Sequence, residues 1–135
     1  MSEWVFLRAG LLAVATLCVA ALVGWGVYSV VHEDPGAFAN VRKCLIAEKG
    51  LTLDSPRDPI AHSAELGAVR TVVETNGVTI SVATDVKSAD RIVAAYRRVA
   101  PDLEQGRLER RGRLVFLWDR PASPTQRQAL FDCEY

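Results

Sequence analysis

Residues 9–31 read AGLLAVATLCVAALVGWGVYSVV and carry no charged side chain. At a rise of 1.5 Å per residue this stretch forms a helix about 35 Å long, which is enough to cross a hydrocarbon core of roughly 30 Å with some tilt. Backbone amides in lipid have no water to bond, so a single crossing must be helical. The sequence therefore predicts three parts: a head at 1–8, a transmembrane helix at 9–31 and one domain at 32–135.

The charges that flank this stretch predict its orientation. Arg8 precedes it, whereas Glu33 and Asp34 follow it. Because basic residues favour the cytoplasmic side, we expect the N-terminus in the cytoplasm and the domain at 32–135 outside it. A cleaved signal peptide is the alternative, but the apolar part of a signal peptide is usually about 7 to 15 residues long. We therefore expect a single-pass protein of the cell membrane with an extracytoplasmic domain.

A strip of small residues runs along the predicted transmembrane helix. Thr16, Ala20 and Gly24 recur every four residues, so they share one face of the helix. Such a strip lets a second membrane helix approach closely, although small residues are common in membrane helices in any case. The expected partners are therefore the lipid bilayer and, through this strip, another membrane protein.

The chain has three cysteines, of which Cys18 lies inside the apolar stretch. The other two, Cys44 and Cys133, can form a disulfide if the domain occupies an oxidising compartment. Their spacing excludes a CxxC redox site, and two cysteines without nearby histidines make a poor metal site. The sequence predicts a structural bridge between them, with two buried thiols as the alternative.

The clearest local signal in the domain is Asn76-Gly77, which lies between two runs of alternating apolar residues at 69–75 and 78–84. Asn-Gly tolerates the positive φ angles of a type I′ turn, the turn that joins two antiparallel strands through a two-residue loop. The sequence therefore predicts a hairpin with its loop at Asn76-Gly77. The predicted pairs are Thr75 with Val78, Val73 with Ile80 and Thr71 with Val82.

Three helices are predicted from apolar residues at helical spacing and from their end signals. The first follows Pro35 and ends near Gly50. The second is capped by Ser88 or Asp85. The third begins after Ser123, whose hydroxyl can cap it in a capping box.

The run Leu114–Trp118 has apolar residues on both faces, which predicts an interior strand or one whose outer face meets a partner around Phe116. Residues 107–111 before it form a further strand or an extended arm. The order is helix, possible short strand, hairpin, helix, one or two strands and helix. It predicts an α+β fold: a small two-layer domain with an antiparallel or mixed sheet and helices mainly on one face, of which a ferredoxin-like sandwich is one form.

The segment 87–113 is rich in arginine, and it predicts a surface for an anionic partner such as lipid headgroups, an envelope polymer or an acidic protein. An ordinary solvated face is the alternative. The candidate residues for this surface are Lys87, Arg91, Arg98, Arg110, Arg111 and Arg113. The whole chain has a formal net charge of zero, so we expect no nucleic-acid partner.

The sequence contains no catalytic, metal-binding or cofactor-binding motif. Glycine-rich phosphate loops, paired-histidine zinc motifs and EF-hand spacing are absent. We therefore expect a protein that is not an enzyme and holds no cofactor: an accessory subunit or interaction module of a membrane assembly. The alternative is an extracytoplasmic binding domain for a small ligand or an anionic envelope polymer.

Overall fold

The computed structural model of the chain describes residues 36–133. The predicted transmembrane helix at 9–31 lies outside the described residues, and so does the strip formed by Thr16, Ala20 and Gly24. Among residues 36–133, no helix is both long enough and apolar enough to span a bilayer.

The strands occur as two consecutive pairs along the described chain, with helices before, between and after them. The helices are α1 (Gly36–Lys43), which continues into a π-helical turn at Cys44–Glu48, α2 (Pro59–His62), α3 (Val86–Val99) and α4 (Pro124–Phe131). The strands are β1 (Gly67–Val73), β2 (Asn76–Val82), β3 (Leu108–Arg111) and β4 (Leu114–Trp118).

Side-chain caps fix the first turns of α2, α3 and α4. Asp58 accepts a hydrogen bond from the backbone of α2, and Asp85 does the same for α3. Ser123 and Gln126 form a complete capping box at the start of α4, as the sequence predicts. Each cap satisfies backbone N–H groups that would otherwise have no partner within the helix.

The four strands form one antiparallel sheet in the order β1-β2-β4-β3. The prediction of an α+β domain with such a sheet is therefore confirmed. β4 is an interior strand, and Phe116 on it is only 1% exposed. The ring of Phe131 in α4 lies 5.6 Å from that of Phe116, so the domain's own helices cover this side chain, and a partner contact through this strand stays a prediction.

Helices cover both faces of the sheet. Phe116 and Trp118 pack in the cluster that contains residues of α1 and α4, whereas Val115 packs in a second cluster with Ile92 of α3. Successive side chains of a strand point to opposite faces, so the two clusters lie on opposite sides of the sheet. This corrects the expectation of two layers with helices mainly on one face. From β1 onward the order of the elements is ββαββα, which also differs from the βαββαβ order of a ferredoxin-like domain.

The hairpin of β1 and β2 turns at Glu74-Thr75, not at Asn76-Gly77. Val73 pairs with Asn76 rather than with Ile80, and Glu74 has a φ of 56°. The predicted register is therefore wrong by four residues. Because four is an even number, the same side chains still face the core, and only their partners across the hairpin change.

Tertiary hydrogen bonds explain why Asn76 lies in a strand. Its Nδ2 donates to the backbone oxygen of Arg120 at 2.9 Å and to Oε1 of Gln126 at 3.1 Å, and its Oδ1 accepts from the backbone nitrogen of Arg120 at 3.1 Å. Asn76 is 2% exposed. With these hydrogen bonds, Asn76 stabilises the domain more in β2 than it would in a solvent-exposed turn.

Position 77 has no room for a side chain larger than that of glycine. Its φ is not positive, and a Cβ at this position would collide with the carboxylate of Asp119 and the guanidinium of Arg70. These two groups form a bidentate ion pair with distances of 3.1 and 2.5 Å. The missing side chain of Gly77 therefore lets an arginine of β1 reach an aspartate that follows β4.

A disulfide joins Cys44 in the π-helical turn to Cys133 after α4, with 5.7 Å between their Cα atoms. Both residues are 1% exposed. Beside them, Nζ of Lys49 lies 3.0 Å from Oδ2 of Asp132. The predicted bridge is thus confirmed, and it fastens the first described helix to the last.

Candidate functional site

Half of the predicted anionic-partner residues lie on one stripe of α3. At 100° per residue, Lys87, Arg91 and Arg98 fall within about 40° of one another around the helix axis. All three are exposed, and the Arg91 side chain is 68% accessible. We call these three residues the α3 basic stripe.

The other predicted residues are divided between the two faces of the sheet. Arg110 and Arg111 are neighbours in β3, so their side chains point to opposite sides. Nε of Arg110 lies 2.8 Å from Asp90 of α3, whereas the guanidinium carbon of Arg111 lies 4.0 Å from the centre of the Phe131 ring in α4. The six residues therefore do not form one continuous surface.

Arg113 lies in the turn between β3 and β4, close to the end of β2. Its Nη1 is 3.5 Å from the backbone oxygen of Thr84. This contact places the Arg113 guanidinium beside Thr84, two residues before α3 begins.

A polar cleft lies between the start of α3 and the chain before β1. The carboxylate of Glu65 accepts hydrogen bonds from the hydroxyls of Thr84 and Ser88, the second at 3.2 Å. Nη2 of Arg91 donates to the Ser88 hydroxyl at 2.7 Å and lies 3.7 Å from Glu65. The cleft has a volume of about 190 Å³, and Ala83 is among the residues that line it.

Sequence reasoning missed this cleft. Ser88 was a candidate helix cap there, but Asp85 caps α3, and this leaves the Ser88 hydroxyl to bind Glu65. Glu65 and Ser88 lie 23 positions apart, so no local pattern joins them. The charges of Glu65 and Arg91 oppose each other across the same hydroxyl, and the cleft therefore carries no net charge of its own.

The Arg70–Asp119 pair forms a second charged feature, at the end of the sheet. Arg70 holds the pKa of Asp119 below its usual value, chiefly through their direct hydrogen bonds. Asp119 in turn raises the pKa of Arg70. The side chain of Asp119 is 49% accessible, so solvent screens the attraction between the two charges.

Tyr96 links α3 to the loop that begins α2. Its hydroxyl donates to Oδ1 of Asp58 at 2.9 Å, and the residue is 6% exposed. Burial raises the pKa of Tyr96, and the neighbouring carboxylate of Asp58 raises it further. The same Asp58 caps α2, so this pair serves to hold two helices together.

Within residues 36–133, no group of three or more histidine, cysteine, aspartate and glutamate side chains is arranged to hold a metal ion. Comparisons of the chain with protein-family models, with curated proteins and with solved structures give no match.

Proposed function

We propose that this protein is a single-pass membrane protein whose extracytoplasmic domain is a non-catalytic interaction module of a membrane assembly. The observation that carries the proposal is the disulfide between Cys44 and Cys133. Disulfides persist in oxidising compartments, and an oxidising compartment agrees with the outward orientation that Arg8 predicts for the domain.

The chemistry of the cleft supports a non-catalytic role. The hydroxyls of Thr84 and Ser88 are bound to Glu65, and Arg91 is bound to Ser88. These contacts tie the start of α3 to the loop before β1, and both hydroxyls donate to the same carboxylate. The polar groups of the cleft thus stabilise the fold.

Gentle detergent extraction of the tagged full chain from its native host tests the proposal. We expect a second membrane protein to copurify in constant ratio. Replacing Ala20 and Gly24 by leucine should release it, because larger side chains keep two membrane helices apart. Ala15→Leu is the matched control, since Ala15 lies about 140° from Ala20 and about 180° from Gly24 around the helix. A chain that purifies alone from every gentle detergent would contradict the proposal.

The α3 basic stripe favours a second candidate function, the binding of an anionic envelope polymer. Three exposed cations on one helix face attract a polyanion, and the attraction weakens with salt. We expect the full chain to be retained on immobilised heparin, used as a polyanion probe, and to lose retention when Lys87, Arg91 and Arg98 are all changed to glutamate. Changing Arg42 and Lys43 to glutamate on α1 is the control, and an equal loss there would contradict a specific surface.

A further inference from the structure

Asn76-Gly77 is a chemically labile dipeptide that the fold keeps buried. Glycine has no side chain to hinder its backbone nitrogen, so this nitrogen can attack the side-chain carbonyl of a preceding asparagine. In this domain Asn76 is 2% exposed, and its side-chain amide makes three hydrogen bonds to Arg120 and Gln126. The sequence thus offers a reaction that the structure obstructs.

We propose that Asn76 is a deamidation site that the native fold keeps closed and that unfolding opens. The backbone nitrogen of Gly77 attacks Cγ of Asn76, and a nitrogen–carbon bond forms. The bond from Cγ to Nδ2 breaks, and Nδ2 leaves as ammonia with the proton from the Gly77 nitrogen. Water then opens the five-membered imide at either carbonyl and leaves aspartate or isoaspartate, so that one water is consumed and one ammonia is released.

The position of the dipeptide in β2 explains the protection. β2 is paired with β1 on one side and with β4 on the other. The backbone oxygen of Gly77 accepts from the nitrogen of Asp119 at 2.8 Å. To bring the Gly77 nitrogen onto Cγ, the backbone and the Asn76 side chain must both rotate, and this rotation breaks the three side-chain hydrogen bonds.

The products are incompatible with the native site. An aspartate at this position replaces a donor with an acceptor, which then faces the oxygens of Arg120 and Gln126 in a buried region. One carboxylate oxygen can still accept from the backbone nitrogen of Arg120, but the other faces two acceptors, and a buried charge in that setting is strongly unfavourable. An isoaspartate lengthens the backbone of β2 by one atom, which disturbs the pairing of an interior strand with both neighbours. A chain modified at Asn76 therefore does not refold to the native structure.

The test compares the folded and the unfolded full chain in detergent at mildly alkaline pH, with the unfolded sample in denaturant and reductant. Mass spectrometry of digests measures the conversion of Asn76. We expect Asn76 in the folded chain to react at least about a thousandfold more slowly than in the unfolded chain, because the unfolded fraction of a native domain is about 10⁻³ or lower. Asn40 is an internal control: it is exposed on α1, and the branched Val41 that follows it slows the attack.

Two results would overturn the proposal. One is a conversion rate of Asn76 in the folded chain that is similar to the rate in the unfolded chain. The other is unfolded Asn76 that reacts no faster than Asn40. After removal of denaturant and reoxidation, the refolded fraction should contain only unmodified Asn76, and modified chains among the refolded ones would show that the products are tolerated. Asn76→Asp should lower the unfolding midpoint or prevent folding, whereas Asn40→Asp should leave it unchanged.

Discussion

Asn76 and Gln126 lie 50 positions apart in the sequence, and the side-chain nitrogen of one donates to the side-chain oxygen of the other at 3.1 Å in a buried site. The same oxygen of Gln126 accepts from the backbone nitrogen of Ser123 and closes the capping box of α4. Nε2 of Gln126 also donates to Glu74 in the hairpin loop at 3.3 Å. One glutamine therefore joins the turn between β1 and β2 to the first turn of α4.

Gln126→Ala should destabilise the domain by about 1 to 3 kcal/mol, because it removes the reciprocal half of a helix cap and leaves Asn76 with one acceptor fewer in a buried region. Denaturant unfolding of the full chain in detergent measures the change. Gln128→Ala is the matched control on the same helix, since Gln128 is exposed and its side-chain nitrogen donates to the exposed Asp132 at 3.1 Å. Equal effects of the two substitutions would contradict the role of Gln126.

Gly77→Ala should destabilise the domain by about 1 kcal/mol or more, because the new Cβ displaces the Arg70–Asp119 pair. The cause can be separated from a backbone effect by adding Asp119→Ala. Steric conflict predicts that Gly77→Ala costs less in the Asp119→Ala background than in the natural chain. If Gly77 were needed for a positive φ, the cost would be the same in both backgrounds.

Reduction of Cys44–Cys133 should lower the free energy of unfolding by roughly 4 to 5 kcal/mol in the chain-entropy model, since the bridge spans 89 positions of the sequence. Denaturant midpoints with and without reductant measure this loss. Cys18→Ala keeps the same two cysteines and should show the same loss. Alkylation of both Cys44 and Cys133 in unfolded, unreduced protein from the native host would contradict the bridge.

The burial of Tyr96 should make the domain less stable at high pH. Burial and Asp58 raise its pKa in the folded state above the ordinary value of about 10, so the fold favours the neutral phenol. This contribution is complete below about pH 10 and is lost as the pH rises from there toward the folded pKa. Absorbance titration should show a phenol that ionises only with unfolding, and Tyr96→Phe should remove that component. A Tyr96 that ionises near pH 10 in the folded chain would contradict its burial.

The orientation of the chain can be tested with single introduced cysteines. A cysteine at Ser2 should resist a membrane-impermeant thiol reagent in intact cells, while one at Ser55 should react, because Arg8 precedes the apolar stretch and acidic residues follow it. Ser55 is exposed in the domain, so its burial does not limit the reaction. Labelling at Ser2 alone would contradict the outward orientation of the domain, and with it the extracytoplasmic location in the proposed function.

Local signals in the sequence were sufficient for α1, α3, α4 and the strands of the sheet, but not for the way in which these elements pair. The capping box at Ser123 and the interior strand Leu114–Trp118 follow from neighbouring residues, and both are confirmed. The hairpin register failed because the positions of Asn76 and Gly77 are decided by groups more than 40 residues away. The strand Leu114–Trp118 has apolar residues on both faces, and this pattern agrees with the helices that cover both sides of the sheet.

The candidate surface divided for a similar reason. A count of charges along the segment 87–113 assigns Arg110 and Arg111 to the same surface. Adjacent residues of a strand, however, point to opposite faces of the sheet. The residues that do share a face are those with helical spacing, namely Lys87, Arg91 and Arg98. Periodicity within a predicted element was therefore a better guide to a shared surface than the density of charge along the chain.

The bridge between Cys44 and Cys133 also determines how the domain carries mechanical load. A force applied between the N-terminal stretch and the end of the chain passes through one sulfur–sulfur bond and not through the strands. The residues between the two cysteines, including the whole sheet, are thus shielded from tension along the chain. Pulling on the oxidised protein should extend only the segments outside the bridge, and the β-sheet should resist force only after the bond is broken.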